Sequence, residues 1–239
     1  YLLWLMTENS AALNFSRAAG IWFFLLPIVL TVSHRMIPFF SSRVLDNYVM
    51  VRPFWMLWLM LACIVAHGGL QWLEMTAYQW MADFPLALCA LYLSYRWGFL
   101  RSFSVSLLAV LHFSFLWLGL SMTLYAVQSL VYMLSGNLLF GLAPLHALAI
   151  GFFASMVLAM ASRVTIGHSG RPLELDHTTW LLFLGFQSAA VLRILADLIP
   201  AMAPMLYVAA GLAWLGCFVL WAAKYAPIYW RQRVDGKPG

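Results

Sequence analysis

The sequence predicts an all-α integral membrane protein, a polytopic bundle of transmembrane helices, and three observations predict it. Hydrophobic residues make up 64% of the 239-residue chain and charged residues only 9%, at a mean hydropathy of +0.88; soluble domains carry roughly 25% charged residues. The apolar residues come in long runs rather than in the alternating or 3.6-periodic patterns of half-buried elements. The longest polar stretch is only Gly167 to Thr178, so no soluble domain, linker, low-complexity tract or internal repeat breaks the pattern, and residues 1–239 read as one helical domain.

A helix crossing about 30 Å of hydrocarbon needs roughly 20 mainly apolar residues. Seven segments qualify, at about 17–34, 54–75, 80–95, 103–128, 143–164, 179–199 and 202–226. The first leads from Arg17 to His34, and the second follows Pro53. The third is short and interrupted by Asp83-Phe84-Pro85. The fourth runs on from Phe103, and the fifth opens at Pro144, a residue suited to a first helical turn, where its missing N–H costs nothing. The sixth carries Arg193 and Asp197, and the seventh lies between Pro200 and the basic C-terminal segment.

Basic residues set the orientation. Arg35, Arg43, Arg52, Arg96, Arg101, Arg163, Arg171, Lys224, Arg231, Arg233 and Lys237 fall at alternate span ends, which puts eleven of the thirteen Lys and Arg on one side. Cytoplasmic loops are enriched in these residues, so the C-terminus is expected in the cytoplasm and Arg17 on the opposite face. The formal charge of +5 arises from singly placed residues with no basic block, which excludes a nucleic-acid patch. Cys63, Cys89 and Cys217 sit in apolar runs without paired spacing, as buried free thiols do. The chain begins at Tyr1 with no signal-peptide pattern, so a missing N-terminal portion is expected.

An ionisable side chain in hydrocarbon costs several kcal/mol unless it faces protein, water or a ligand, so buried His and Arg are functional candidates. Cys63, His67, Gln71 and Glu74 fall at spacings of four, four and three, a polar stripe expected to face the bundle. His112 lies nine residues beyond Phe103, about 14 Å into the membrane at 1.5 Å per residue. In the fifth span Ala143, Ala147, Gly151, Ser155 and Ala159 recur at every fourth residue, a small-residue face for a neighbouring helix or a flat macrocycle, with His146 beside it. Arg193 and Asp197, four apart, suit a neutralising ion pair. His67, His146 and Arg193 group toward one face, and His34, His112, Arg163, His168 and Arg171 toward the other. Haem iron accepts axial imidazoles, copper accepts imidazole and soft sulfur, and arginines pair with carboxylates, so these residue types fit haem and copper alike. Packing, snorkelling of Arg35 and topogenic charge explain the same residues without a cofactor.

The stretch Pro144-Leu145-His146-Ala147-Leu148-Ala149-Ile150-Gly151-Phe152, then Met160, then Arg163-Val164-Thr165-Ile166-Gly167-His168-Ser169-Gly170-Arg171, closely resembles the signature of the NnrS family. Ala19-Gly20-Ile21-Trp22 and His34-Arg35-Met36-Ile37-Pro38-Phe39-Phe40 resemble it too. The resemblance implies a bacterial inner-membrane protein carrying haem and copper and linked to nitric oxide and nitrosative stress. It implies cofactor roles for His34, Arg35, His146, Arg163, His168 and Arg171, whereas His67 and His112 rest on the physical argument. Family members have about twelve spans and an N-terminal motif rich in Trp and His-Glu that this chain lacks. It therefore looks like the C-terminal seven-span portion, against which an N-terminal remainder would pack. The expected partners are the lipid bilayer, haem and nitric oxide. The alternatives are a transporter of a small ion or metal species, lined by the polar faces of the second and sixth spans, and a scaffold without cofactor. No nucleophile motif, phosphate loop or carboxylate pair points to hydrolytic chemistry, which leaves redox or nitric oxide handling as the remaining kind of activity.

Overall fold

A computed structural model describes residues 5–6 and 10–236. Lys237, counted above among the basic residues, lies outside them, as does Tyr1. The described residues form helices and no strand. Seven helices have 17 or more residues: α1, Ser10–Val44; α2, Phe54–Trp72; α3, Trp80–Arg96; α4, Ser106–Ser135; α5, Ala143–His168; α6, His177–Leu198; and α7, Ala203–Tyr225. All but α3 are long and apolar enough to cross a membrane by length and composition, which makes this a multi-pass membrane protein. The short third segment is a helix of 17 residues, at the lower bound for a span, and Pro85 sits inside its first turns.

Two helices are wider than ideal along part of their length. Gly20–Leu25 in α1 and Ala147–Ala154 in α5 are π-helical, a local widening that re-aims side chains and recurs at functional sites. The opening helix runs well beyond the expected 17–34: α1 covers Ser10–Val44 and passes the buried Pro38, so His34 lies inside the helix rather than at its end. At the other end of α2 the chain turns at Glu74, whose φ of 56° is left-handed. The Met75 N–H bonds back to the Leu70 carbonyl, closing a helix end that glycine usually makes.

The core gathers on α4, half of whose residues are buried, with α3 and α5 packed along it, while α7 is mostly exposed and presents Val208, Leu212 and Leu220 outward. The small-residue face of α5 serves helix packing. Ala143, Ala147, Gly151, Ser155 and Ala159 are all buried, and a Cβ at Gly151 would lie 2.5 Å from the Trp117 ring of α4. Trp117 therefore occupies the place open to a macrocycle in the sequence. Its indole N–H donates to Gln187 Oε1 at 2.7 Å, and Gln187 Nε2 donates to Ser155 Oγ at 2.8 Å, which ties α4, α6 and α5 together in the apolar layer. Gly151→Ala should cost about 1–3 kcal/mol of stability by overpacking against that ring. Equilibrium unfolding in mixed micelles measures it, and a neutral result would show that Trp117 gives way freely.

Candidate buried histidine sites

The most buried ionisable pair joins α2 to α3. His67 Nδ1–H donates to Asp83 Oδ1 at 2.5 Å, and both side chains have zero exposure. Trp22, from the π-helical part of α1, lies over the imidazole with ring centroids 3.6 Å apart, and Tyr125 of α4 meets it edge-on at 5.0 Å. His67 Nε2 and Asp83 Oδ2 are buried with no hydrogen-bond partner. In the sequence Asp83 marks the interruption of the third span, and as a carboxylate in an apolar run it is itself a signal of a buried partner. The stripe expected to face the bundle divides here. Cys63 and His67 are buried, whereas Gln71 and Glu74 are exposed and line a cavity of about 590 Å³ with Asn14, Arg17, Trp22 and Tyr125.

The second site corrects the expected Arg193–Asp197 ion pair. His146, at the start of α5, stands between them. Arg193 Nε–H donates to His146 Nε2 at 3.1 Å, and His146 Nδ1–H donates to Asp197 Oδ2 at 2.7 Å. Tyr207 of α7 donates its hydroxyl to Asp197 Oδ1 at 2.7 Å, with Arg193 over its ring at 4.2 Å. Arginine only donates, so His146 is held as the Nδ1–H tautomer with its lone pair occupied. Charge is neutralised through the imidazole instead of directly, because the ring fills the space between the two α6 side chains.

At the basic half of the bundle α1 carries His34 and is met by His112 and Arg163. His34 is buried beside Trp97, Phe54 and the Pro53 backbone, and its Nε2 is without a partner. Ser41 donates its hydroxyl to the Ile37 carbonyl and accepts from His112 Nε2 at 2.9 Å, so that nitrogen carries its proton. Arg163 is buried with its guanidinium 3.9 Å above the Phe40 ring. Arg35 and His168 are exposed, and Arg171 lines a separate cavity near the end of α5. The anion site read from Arg163, His168 and Arg171 is thus not gathered by any hydrogen bond among the described residues. The sixth histidine, His177, is exposed at the start of α6.

The chain matches the family model described as NnrS protein over residues 1–233. It belongs to the NnrS family. No match was found among the curated proteins or the solved structures. For haem or copper, the group implied by resemblance to NnrS proteins, an imidazole must offer a free nitrogen lone pair. His146 gives its lone pair to Arg193, and His112 Nε2 carries a proton held by Ser41, which leaves Nδ1 as its only donor atom. His34 and His67 keep a buried, unpartnered Nε2, so they fit as one ligand each. The Asp83 carboxylate behind His67 fixes ring orientation and raises donor strength, as carboxylates do behind metal-bound imidazoles. Among the described residues no group of three or more His, Cys, Asp or Glu is gathered for a metal ion.

Proposed function

We propose that this NnrS-family chain is the haem-holding helical part of a bacterial inner-membrane protein of the nitric oxide response, with its C-terminus in the cytoplasm. One observation carries the reading: a fully buried imidazole, His67, directs an unpartnered Nε2 away from a carboxylate that holds its Nδ1–H. A lone pair left without a partner in a dry interior costs free energy unless a ligand takes it.

His67 is the first imidazole offered to iron and His34 the second, on opposite halves of the bundle. Bound haem would supply an iron position open to a small diatomic ligand such as nitric oxide. Asp83 holds the Nδ1 proton of His67, Trp22 and Tyr125 cover the ring and exclude water, and Trp97 and Phe54 do the same for His34. Copper, expected from the resemblance, would need donors beyond those the described residues gather, such as those of an N-terminal remainder. Transport of an ion along the second and sixth spans has less support, since His67, Arg193 and Asp197 are each bonded to a neighbouring helix or residue.

The test is the optical spectrum and metal content of the detergent-purified full-length protein, oxidised, reduced and treated with nitric oxide. We expect a Soret band that moves with nitric oxide, and its loss or shift in His67→Gln, whose amide still donates to Asp83 but provides no imidazole. A His67→Gln protein with unchanged haem content and spectrum removes His67 from the ligands. A colourless, metal-free protein expressed with sufficient haem and copper overturns the reading.

A further inference from the structure

At the basic end of the bundle, where α5 and α7 both finish, a cavity of about 490 Å³ opens between them and the α5–α6 loop. Its floor is apolar: Ile166 and Tyr225 are buried in a small cluster with Leu107, apart from the main core, and Leu175 and Ile228 pack against it. Its rim is cationic, with Arg171, Lys224 and Arg231. A cationic rim over an apolar floor, set at the ends of membrane-spanning helices, has the polarity profile of a phospholipid.

Among the described residues Lys224 is ion-paired, whereas Arg171 and Arg231 have no carboxylate in salt-bridge reach. Arg171 Nη1 is buried and has no hydrogen-bond partner. Two carboxylates share the wall, but neither serves it. Asp176 is bonded to Lys224 and caps α6 by accepting the Thr179 N–H at 2.9 Å. Burial alone would raise the Asp176 carboxyl, yet the bonds from Lys224 and Thr179 outweigh it and hold its pKa at about 2, so it stays ionised and committed. Glu174 is exposed and does not reach Arg171 Nη1. A guanidinium nitrogen removed from water without an acceptor costs free energy, and an incoming anion supplies the acceptor.

The rim is also held in place. Thr165 and Tyr229 share a hydrogen bond of 2.6 Å that fastens the segment after α7 to α5. The Val234 N–H donates to the Ser169 carbonyl at 3.0 Å, and Asp235 packs where a Cβ on Gly170 would lie, at a residue whose φ of 74° already favours glycine. Arg233 grips Asp235 with two nitrogens, the Val234–Ser169 bond folds the chain leaving α7 back along the loop, and Arg231 and Arg171 line the same cavity.

We propose that this cavity binds the phosphate of an anionic phospholipid, with Arg171 and Arg231 on the phosphate and an acyl chain along Ile166, Leu175, Tyr225 and Ile228. Planar guanidinium groups suit phosphate because two N–H donors meet two oxygens at once. No His lines this cavity, so the site is separate from the imidazoles of the proposed haem sites, and its test reads the same with haem bound or absent.

Native mass spectrometry of the full-length protein released from nanodiscs of equal phosphatidylglycerol and phosphatidylcholine tests the proposal. Retained phosphatidylglycerol should exceed phosphatidylcholine. Arg171→Ala should reduce it about tenfold or more, the loss expected for a charge-assisted hydrogen bond. Arg171→Lys, which keeps the charge but not the fork, should fall between. Arg231→Ala, at an exposed position where folding is not at stake, should also weaken retention, whereas Arg43→Ala, outside the cavity, should not. Equal retention of the two lipids, or retention indifferent to both Arg171→Ala and Arg231→Ala, overturns the site. Displacement of the lipid by millimolar inorganic phosphate would show a free-anion site and overturn the lipid assignment.

Discussion

Replacing His67 with alanine is expected to destabilise the bundle by about 3–5 kcal/mol, the range found when one member of a buried pair is removed. The reason is the residue left behind. Asp83 has zero side-chain exposure, its Oδ2 already lacks a partner, and Oδ1 bonds only to His67. Without the imidazole, the carboxylate must stay charged in an apolar interior or take up a proton, and either costs folding free energy. The lost stack with Trp22 and edge contact with Tyr125 add to this. SDS titration in mixed micelles measures the loss. Changing Asp83 to leucine in the same chain should restore a large part of it, because replacing a buried pair by apolar side chains is often neutral. A single His67→Ala change costing less than about 1 kcal/mol, below that range, would mean that water reaches Asp83.

The contrast between His67→Ala and His67→Gln separates structure from ligation. Glutamine keeps a donor for Asp83 and so retains much of the stability, but it offers iron no imidazole. Loss of haem in the glutamine variant therefore reports on ligation, whereas loss of folding in the alanine variant reports on the Asp83 charge. This distinction rests on the two ring nitrogens facing different partners, which only the folded arrangement of α1, α2, α3 and α4 provides.

Much of this arrangement was legible in the sequence. Runs of about 20 apolar residues have no stable alternative to helix in lipid, since every backbone group must be satisfied within the segment, and all seven segments are helices with ends within a few residues of expectation except in α1 and α4. Gly151 and the small residues around it announced close packing, and Trp117 supplies it. The pairing of side chains was less legible. Asp83 belongs to His67 because α2 and α3 lie side by side, and His146 separates Arg193 from Asp197 because α5 meets α6 at that level. Such partners are far apart in the chain, and nothing in local spacing encodes them. The π-helical segments at Gly20–Leu25 and Ala147–Ala154 were invisible for a related reason. One extra residue in a turn is stabilised by what the re-aimed side chains meet, here Trp22 on His67, rather than by the residues of the turn itself.

Asp197→Ala is expected to have the second large effect, a loss of about 3 kcal/mol. Asp197 accepts from two helices at once, from His146 on α5 and from Tyr207 on α7, and its side chain is only 7% exposed. Its removal strands the His146 Nδ1–H and leaves Arg193 as a cation without a nearby carboxylate. The tautomer then rests on the Arg193 bond to Nε2 alone, and without the carboxylate to anchor the ring through Nδ1 that bond is expected to loosen and let the tautomers exchange. Nitrogen NMR of labelled His146 should show a single Nδ1–H tautomer in the parent protein and a mixture in Asp197→Ala. Tyr207→Phe, which deletes one exposed donor and leaves the carboxylate in place, should leave the tautomer unchanged. If Asp197→Ala keeps both the stability and the tautomer, Arg193 alone orients the ring and the carboxylate is incidental. If it loses both, the α5–α6–α7 corner is held by one acceptor, and the orientation of His146 is fixed from α6 through Asp197.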